Sequence, residues 1–508
     1  MQKYGLQQAG ELPEALNFTH PEIIEKIYKE YIAAGSDLVC TNTFGANSWK
    51  LEGSGYTTEQ VIKQAVRIGR KAGAPWVALD VAPIGRLMEP TGDLGFEEAC
   101  KLYGEQISAG VEAGVDLIVF ETFTDLYEMK AAVVTARELT DLPVFCTVTF
   151  QEDGRMLMGA DPLTVVNVLQ DLGIDAIGTN CSLGPRQMLP IVREMLRYSK
   201  LPIMVQPNAG LPRMEGGQTV FDVGVKEFTM AMREMIESGV SIVGGCCGTT
   251  PEYIKALSDC IKSIGDLGDI SPIVHRPFTG VSSSTKTVIL DDRIRIIGER
   301  INPTGKKRLK EALKDKDFAY IENQAISQVK AGAEVLDINV GLPEIDEEQM
   351  MLETVRRVSA VTDVPLQIDS ADPKVLERAA RLYNGKPIIN SVNGKQEVMD
   401  AVFPIVKKYG TCVIALTLDE NGLPKNAEER LAIAERIIKE AAAYGIDEKR
   451  ILVDCLTLTV SAQQKAGTDT LDAIRLVKQC FDVKTVLGVS NVSFGLPERE
   501  LLNQTFLA

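Results

Sequence analysis

The sequence predicts an α/β protein made of two (β/α)8 TIM barrels in tandem, and three observations support this prediction. The chain has 508 residues, which is too many for one compact core. A short phrase recurs in both halves: a helix ends in small residues and glycine, and a polar residue and an apolar run follow. Successive apolar runs are separated by roughly 25 to 40 residues, which is the length of a βα unit.

Each position of the recurring phrase has a structural meaning. Its glycine fits the left-handed cap that ends a helix, and its β-branched run fits a buried parallel strand. Amphipathic stretches such as residues 21–34 and 321–331 lie between the runs and predict helices. A doubly wound open sheet has the same alternation, but we find no glycine-rich dinucleotide fingerprint, so the barrel is preferred. The phrase occurs as AAGSDLVCTNTF, EAGVDLIVFETF, LGIDAIGTNC, SGVSIVGGCC and AGAEVLDINVG.

Seven strands are predicted in each half. In the first half they end near Thr43, Asp80, Glu121, Thr149, Cys181, Asn208 and Cys246. In the second half they end near Glu299, Asn339, Asp369, Asn390, Leu416, Asp454 and Asn491. A barrel of this class needs eight strands. One is missing at the start of the first half and one at the end of the second, so we expect a chain that is clipped at both ends.

The boundary between the halves is predicted from composition. Residues 265–292 contain Pro272, Pro277 and the polar run 282–285, and they show little periodicity, which predicts a linker. The two barrels are therefore expected at residues 1–264 and 293–508.

Charge and composition narrow the class of partner. The net charge is −16 and no cluster of Lys or Arg stands out, so neither nucleic acid nor an anionic membrane is expected as a partner. No apolar run is long enough to span a bilayer, and the N-terminus does not resemble a signal peptide. These features predict a cytoplasmic enzyme.

The only two histidines, His20 and His275, lie outside strand-like runs, so any metal site is expected to use sulfur and oxygen.

Three cysteines are predicted to converge on one rim of the first barrel. Cys181 ends one strand, and the adjacent Cys246 and Cys247 end a strand two places away. Strand ends of this kind form the active-site face of a barrel, and flanking glycines let both members of the adjacent pair turn inward. Three thiolates can supply three of the four ligands of a tetrahedral Zn²⁺ site. A substrate thiol that occupied the open fourth position would be held as a thiolate. Three unrelated buried thiols and a vicinal disulfide are the alternatives.

The motifs around these cysteines resemble a known family. NCSLGP at residues 180–185 and GGCCGTTP at residues 244–251 are similar to the homocysteine-binding barrel of cobalamin-dependent methionine synthases and betaine–homocysteine methyltransferases. The stretches TNTFGA, FETF and QPNAG agree with the same family. The resemblance implies Zn²⁺ bound by Cys181, Cys246 and Cys247, with the sulfur of homocysteine as the fourth ligand.

The same resemblance implies a pocket for the amino acid part of homocysteine. Glu121 would be the partner of the substrate ammonium group, and Asn42 and Asn208 would line the pocket. A structural salt bridge for Glu121 and loop capping for the two asparagines are the alternatives. The family's Asp-Gly-Ala-Met-Gly-Thr motif is absent here, so the pocket can be assigned only in part.

Polar residues also follow successive strands of the second half. A rim of Asp and Asn can bind a heterocycle that is rich in hydrogen-bond donors and acceptors. Capping of the following helices is the alternative use of such residues. The rim consists of Glu299, Asn302, Asp337, Asn339, Asp369, Asn390, Asp454, Asn491 and Ser493.

The second half resembles the pterin-binding barrel of cobalamin-dependent methionine synthases, dihydropteroate synthases and corrinoid-linked methyltetrahydrofolate methyltransferases. The motifs that carry the resemblance are IGERINPTG, AGAEVLDINVG, IDS, INS and VSNVSFGLP. It implies that Asp369, Asn390 and Asp454 bind the pterin ring of 5-methyltetrahydrofolate. Asn491 would hydrogen-bond near N5 and take part in catalysis. The other implied folate-binding residues are Glu299, Asn302 and Ser493.

The two resemblances together imply one reaction of methionine biosynthesis: methyl transfer from 5-methyltetrahydrofolate via cobalamin to zinc-activated homocysteine, giving methionine and tetrahydrofolate. The sequence has no Asp-x-His-x-x-Gly motif, so a cobalamin-binding module is expected in cis or in trans. A related methyltransferase that acts on another thiol or methyl donor is one alternative. A non-catalytic two-barrel scaffold with structural thiols is the other.

Overall fold

The computed structural model describes residues 12–215, 218–264 and 272–508. The chain divides into two compact units, with the division between Arg276 and Pro277. Each unit is organised around a seven-stranded parallel sheet. Among the described residues, no helix combines the length and the apolar character that crossing a membrane requires.

The sheet of the first unit pairs each strand with the next strand along the chain. Its first six strands are β1 (Leu38–Cys40), β2 (Trp76–Val81), β3 (Leu117–Phe123), β4 (Val144–Val148), β5 (Ala176–Asn180) and β6 (Ile203–Gln206). A hairpin of β7 (Pro212–Glu215) and β8 (Gln218–Phe221) follows, and β9 (Ile242–Val243) pairs with β6 as the seventh strand. The predicted seven-stranded parallel arrangement is confirmed, and every strand ends within three residues of its expected end.

Helices precede, connect and follow the parallel strands of the first unit. They are α1 (Leu16–Thr19), α2 (Pro21–Ala33), α3 (Thr58–Lys71), α4 (Phe96–Ala113), α5 (Leu126–Leu139), α6 (Pro162–Leu169), α7 (Pro185–Tyr198), α8 (Val225–Glu237) and α9 (Pro251–Ile264), after a 3-10 turn at Pro13–Ala15. The helix α3 shows how the sequence determines these elements. Thr57 and Gln60 form a capping box at its N-terminus, and Val61 and Ala65 are buried one turn apart on its inner face.

The glycines of the recurring phrase adopt the left-handed conformation that ends a helix. Their φ angles are +106° at Gly35, +79° at Gly114, +82° at Gly173, +116° at Gly239 and +103° at Gly332. The acidic residue of the phrase fixes the start of a neighbouring strand. Asp116 accepts from the N–H of Val77 at 2.7 Å, and Asp175 accepts from the N–H of Val144 at 2.8 Å. The glycine of the phrase therefore ends the helix, and its acidic residue holds the start of a neighbouring strand in place.

The first sheet is curled around an apolar interior. Residues of β1 and β9, which stand at opposite edges of the sheet, share one cluster with residues of β2, β3, β4 and β6. Side chains at both edges can meet in this way only if the sheet curls into a barrel. The cluster contains Ala78, Leu117, Val119 and Met204, with Leu38, Cys40, Phe145 and Ile242 packed against it.

The second unit begins with a hairpin of β10 (Gly280–Ser282) and β11 (Thr287–Ile289). Its parallel strands, in spatial and sequence order, are β12 (Ile297–Ile301), β13 (Val335–Asn339), β14 (Leu366–Asp369), β15 (Ile388–Asn393), β16 (Cys412–Leu416), β17 (Ile451–Asp454) and β18 (Lys484–Val486). Its helices are α10 (Lys307–Lys314), α11 (Phe318–Lys330), α12 (Glu347–Val361), α13 (Pro373–Leu382), α14 (Gln396–Lys408), α15 (Ala427–Ala443), α16 (Ala466–Cys480) and α17 (Arg499–Leu507). Short 3-10 turns lie at Glu448–Arg450 and Val489–Asn491. Seven parallel strands are again confirmed, but the last one ends at Val486, five residues before its expected end near Asn491, which lies in a 3-10 turn.

The hairpin lies within the segment that the sequence predicts to be a linker, residues 265–292. Val281 and Val288 of the hairpin are 0% and 4% exposed, and they pack against Val335, Ile388 and Cys412. These three residues begin β13, β15 and β16, so the hairpin covers the end of the sheet opposite to the carboxyl ends of its strands. This part of the segment is therefore structured, because its β-branched residues are buried by the barrel. Residues 265–271 lie outside the described residues, and the domain boundaries remain predictions.

Candidate active site and metal centre

Three cysteine side chains lie together at the carboxyl ends of two strands of the first sheet. Cys181 directly follows β5, and Cys246 and Cys247 follow β9 by three and four residues. Their Sγ atoms all lie within 4.8 Å of one another, and the Sγ atoms of Cys181 and Cys247 are 3.9 Å apart. The structure thus brings the three predicted ligands to one point.

A tight turn lets the adjacent Cys246 and Cys247 face the same point. The N–H of Thr249 donates to the carbonyl of Cys246 at 3.3 Å, so the backbone leaves the extended conformation soon after β9. Gly248 has a φ of +81°, and a Cβ at this position would lie 2.4 Å from the ring of Phe221. Only glycine fits there, which explains the glycine that follows the cysteine pair.

The spacing and chemistry of the three thiols fit a zinc ion. Tetrahedral Zn²⁺ with Zn–S bonds of about 2.3 Å separates its sulfur ligands by about 3.8 Å, close to the 3.9 Å between Cys181 and Cys247. All three residues carry free thiols, and Cys247 is exposed, so the cluster opens to solvent on one side. The exposed side argues against three buried structural thiols, and Cys246 and Cys247 are not joined by a disulfide.

The three thiols perturb one another's ionisation. Hydrogen bonds with the thiols of Cys246 and Cys247 lower the pKa of Cys181 well below its ordinary value. The contact with Cys181 in turn raises the pKa of Cys246 and of Cys247. The thiol of Cys181 is therefore more acidic than those of Cys246 and Cys247. A cluster that stabilises one thiolate in this way is suited to a soft cation.

Glu121 is partly buried, and it forms a pair with the buried carboxyl group of Asp80 within electrostatic range of the cysteines. Its side chain hydrogen-bonds with that of Asp80, whose strand β2 neighbours β3. Burial raises the pKa of both groups, and at Asp80 the charge of Glu121 adds to this effect. The hydrogen bond raises the pKa of Asp80 and lowers that of Glu121, so Asp80 holds a proton more tightly than Glu121 does. The sequence analysis names Asp80 only as the end of a predicted strand. Its position as an acidic residue inside the apolar run WVALDV is the signal that could have identified it as a candidate site residue.

The two asparagines that were expected to line the homocysteine pocket hold loops. The Oδ1 atom of Asn208 accepts from the N–H of Cys247 at 3.0 Å, and Asn208 is 3% exposed. The Nδ2 atom of Asn42 donates to the carbonyl of Pro13 at 2.9 Å and to Oδ1 of Asn17 at 3.1 Å. These contacts are those of the loop-capping alternative, and a role toward substrate remains a prediction for both residues.

The rim of the second sheet carries a network of carboxyl and carboxamide groups. Asn339 Nδ2 donates to Asp369 Oδ2 at 3.0 Å, and Gln367 Nε2 donates to Asp337 Oδ1 at 2.6 Å. Burial, with the nearby Asp369 carboxylate, raises the pKa of Asp337 to about 7, and burial also raises the pKa of Asp369. Gln367 was missed by sequence reasoning, although it stands two residues from Asp369 and therefore faces the same side of β14.

Two further predicted residues adjoin this network. Asn390, within β15, hydrogen-bonds with the carboxyl group of Asp337. Asp454 ends β17, and its Oδ1 atom accepts from the N–H of Leu456 at 2.8 Å. Burial raises the pKa of Asp454 to about 6. These side chains offer both donors and acceptors, which is what a pterin ring requires.

Glu299 and Asn302, which are predicted to bind folate, form hydrogen bonds within the segment at the end of β12 and the loop that follows it. Asn302 Oδ1 accepts from the N–H of Thr304 at 3.0 Å, which is an Asx turn. Lys306 Nζ donates to the carbonyl groups of Glu299 and Asn302, at 3.2 Å each. The side chain of Glu299 belongs to an exposed residue on β12. Direct contact of Glu299 and Asn302 with a folate remains a prediction.

The last two predicted residues differ in their surroundings. Asn491 is exposed and ends a 3-10 turn after β18. Ser493 is 0% exposed, and its hydroxyl donates to Asn503 Oδ1 at 2.7 Å and accepts from Arg499 Nε at 3.1 Å. Ser493 thus fastens this loop to α17, whereas Asn491 is accessible.

Each half of the chain matches a known protein family. The family described as homocysteine S-methyltransferase matches residues 1–261, and the family described as pterin binding enzyme matches residues 298–507. The chain is 32% identical to methionine synthase of Mycobacterium leprae (strain TN) and 33% identical to methionine synthase of Mycobacterium tuberculosis (strain ATCC 25618 / H37Rv). Each alignment covers 97% of this chain and 44% of the relative, so the chain spans less than half the length of these relatives.

A solved structure is similar to part of the chain. The homocysteine methyltransferase MmuM from Escherichia coli, in its oxidized form, is 21% identical with a TM-score of 0.44, over 51% of this chain and 91% of that chain. The family match over residues 1–261 covers more than half of the 508 residues. The chain therefore belongs to the homocysteine S-methyltransferase family, and its second half matches the pterin binding enzymes.

Proposed function

We propose that this chain binds the two substrates of a methionine synthase reaction, in which a methyl group passes from 5-methyltetrahydrofolate via cobalamin to homocysteine, giving methionine and tetrahydrofolate. The observation that carries the proposal is the convergence of Cys181, Cys246 and Cys247 in a barrel of the homocysteine S-methyltransferase family. The pterin-type rim of the second barrel and the names of the relatives support the methyl donor.

In this proposal Cys181, Cys246 and Cys247 hold Zn²⁺ and leave one coordination position for the substrate. Bound zinc lowers the pKa of a thiol in that position, so homocysteine is held as a nucleophilic thiolate at neutral pH. Asn208 keeps the cysteine turn in place through the N–H of Cys247. The pair formed by Glu121 and Asp80 lies within electrostatic range of the cysteines, where Glu121 can accept hydrogen bonds from the substrate ammonium group.

The second barrel would bind the pterin ring through its polar rim. Asp369 and Asp454 can accept from ring N–H and amino groups, and Asn390 can both donate and accept. Asn491 is accessible and can hydrogen-bond near N5 of 5-methyltetrahydrofolate. We assign Ser493 to holding the loop of Asn491, because its hydroxyl is buried and already bonded. Glu299 and Asn302 complete the proposed set.

Cobalamin would be carried on a further region of the same polypeptide or on a separate protein. The 508 residues contain no Asp-x-His-x-x-Gly motif that could hold it. The reaction is assigned to the cytoplasm, because a site of three free thiols needs a reducing compartment.

Homocysteine binding to the zinc-loaded chain tests the proposal. Isothermal titration calorimetry is expected to give about one homocysteine per chain and to release about one proton, because the thiol becomes a thiolate. Cys247→Ser is expected to abolish binding. Cys260→Ser is the matched control, because Cys260 is a free, partly exposed thiol in α9 outside the cluster.

Assays of the two half-reactions extend the test. The chain is expected to transfer a methyl group from added methylcobalamin to homocysteine, and from 5-methyltetrahydrofolate to added cob(I)alamin. Faster transfer to another thiol, or from another methyl donor, would favour the related-methyltransferase alternative. A chain that binds neither zinc nor homocysteine would be the non-catalytic scaffold, and the proposal would be wrong.

A further inference from the structure

The side chain of Asn180 links two parts of the first active site. Asn180 ends β5 directly before Cys181 and is 0% exposed. Its Oδ1 atom accepts from the N–H of Thr122 at 2.8 Å, and its Nδ2 atom donates to Thr122 Oγ1 at 2.8 Å. The same Nδ2 atom donates to the Sγ atom of Cys246 at 3.9 Å. One carboxamide thus contacts a candidate metal ligand and the neighbour of Glu121.

The orientation of this carboxamide is determined by its partners. A backbone N–H can only donate, so the atom that faces the N–H of Thr122 must be the oxygen. The NH2 group must then face Thr122 Oγ1 and Cys246 Sγ, both of which can accept. All three contacts agree with a single orientation, and the side chain is enclosed by them.

Backbone strain occurs at Thr122, which Asn180 contacts, and at the two residues that follow Asn180 in the chain. Among the described residues, six non-glycine residues have positive φ, and three of them are Thr122 (+64°), Cys181 (+61°) and Ser182 (+59°). A positive φ is unfavourable for L-residues and is rare for a β-branched residue such as Thr122. Such conformations persist where surrounding bonds enforce them, and they cluster at functional sites. The hydrogen bond from the N–H of Thr122 to Asn180 is one such bond.

We propose that Asn180 is a positioning residue that stabilises the Cys246 thiolate as a metal ligand and couples its place to that of Glu121 through Thr122. This inference rests on the proposed function. A buried N–H that donates to a thiolate stabilises the negative charge on sulfur and fixes the direction of its lone pairs. The two bonds to Thr122 hold the residue next to Glu121, so the metal site and the ammonium site keep a constant separation. Loss of such outer contacts typically lowers metal affinity by about 10- to 100-fold.

Three variants separate this role from a general structural one. Asn180→Ala removes all three contacts. Asn180→Asp keeps the acceptor for the N–H of Thr122 and can accept from its hydroxyl, but it has no N–H for Cys246. Thr149→Val is the matched control, because Thr149 Oγ1 donates at 3.0 Å to the backbone carbonyl of Asn180 and not to its side chain. Thermal unfolding verifies that each variant is folded.

Two measurements on the full chain read the metal site directly. Chelator competition at about pH 8 gives the Zn²⁺ dissociation constant, and the absorption of the Co²⁺-substituted chain gives the energy of the thiolate-to-cobalt charge-transfer band. Asn180→Asp and Asn180→Ala are each expected to weaken Zn²⁺ binding by at least about tenfold. Both are also expected to move the cobalt band to lower energy, because a sulfur without its N–H donor holds its electrons less tightly. Thr149→Val is expected to resemble wild type in both measurements.

The outcomes distinguish this inference from the proposed function. Wild-type Zn²⁺ affinity and an unshifted cobalt band in Asn180→Asp would overturn the inference and leave the zinc site intact. A wild-type chain that binds neither Zn²⁺ nor Co²⁺ would overturn both. Should the Asn180 variants fail to fold, Thr122→Val tests the coupling. It removes the Oγ1 acceptor alone, and it is expected to weaken homocysteine binding severalfold with Zn²⁺ affinity unchanged; unchanged homocysteine binding would overturn the inference.

Discussion

Asp337 provides a quantitative test of the second barrel. This side chain is 4% exposed, and burial together with the Asp369 carboxylate raises its pKa from 3.8 to about 7. The Asp337→Asn variant replaces a titrating carboxyl group with a neutral amide of the same shape. The amide oxygen can still accept the 2.6 Å hydrogen bond from Gln367 Nε2, and the carboxamide of Asn390 can turn to accept from the new NH2 group, so the main change is the loss of titration.

The size of the effect follows from proton linkage. Asp337 releases its proton near pH 3.8 in the unfolded chain and near pH 7 in the folded chain. Between these values unfolding releases a proton, so the free energy of unfolding falls as the pH rises. The raised pKa lowers the free energy of unfolding by about 4 kcal/mol in total, and this full loss is reached above pH 7. About 2.5 kcal/mol of the loss occurs between about pH 5 and pH 8. The Asn variant lacks this loss and should therefore gain about 2.5 kcal/mol over wild type across that range.

Denaturant-dependent hydrogen exchange, read by mass spectrometry on peptides of β13 and β14, measures the free energy of unfolding of the second unit within the full chain. Asp363→Asn is the matched control, because the Asp363 side chain is 63% exposed and forms only a 3.6 Å surface ion pair with Lys286. The control should change stability by less than about 1 kcal/mol, about equally at both pH values. If the difference between Asp337→Asn and wild type were the same at both pH values, the argument from burial would be refuted.

Two further predictions concern the same unit. Val281→Ala is expected to lower its free energy of unfolding by about 2 kcal/mol, because Val281 is fully buried against the barrel. Ile294→Ala should have little effect, because Ile294 of the same unit is 76% exposed. Equal effects of the two variants in denaturant-dependent hydrogen exchange would contradict the packing role of the hairpin. Binding of 5-methyltetrahydrofolate should weaken about tenfold per pH unit below about 6, where burial places the pKa of Asp454, because the protonated carboxyl group no longer accepts two hydrogen bonds. Asp454→Asn should lose this dependence, and calorimetry that found none in wild type would argue against a contact between Asp454 and the pterin.

The parallel strands and the cysteine cluster could be predicted because their signals are local. Each βα unit repeats a helix-ending glycine and a β-branched run, so its period is visible without any knowledge of distant contacts. Cys181, Cys246 and Cys247 stand at the ends of such runs, and the geometry of a parallel sheet brings strand ends to one edge. The convergence of the sulfur atoms thus follows from strand order together with the glycine-containing turn after β9.

Other features depend on contacts between distant residues, and the sequence does not display them. The hairpin around Val281 lies in a polar, aperiodic segment, and only its burial against the second sheet makes it a structured element. Asp80 acquires a role because β2 places it beside Glu121. Asn180 precedes a predicted ligand, but its role depends on Thr122, which lies 58 positions away in the chain. Ser493 matches a family motif, yet its hydroxyl is bonded to α17.

The most direct test of the account is X-ray absorption at the zinc edge of the full chain, with and without homocysteine. About one zinc per chain with three sulfur ligands at about 2.3 Å is expected, and the sulfur count should rise to four when homocysteine is added. This result would establish that Cys181, Cys246 and Cys247 hold a metal whose open position takes the substrate thiol. Absence of zinc from protein purified in reduced form without chelators, or a sulfur count that homocysteine leaves unchanged, would contradict the account.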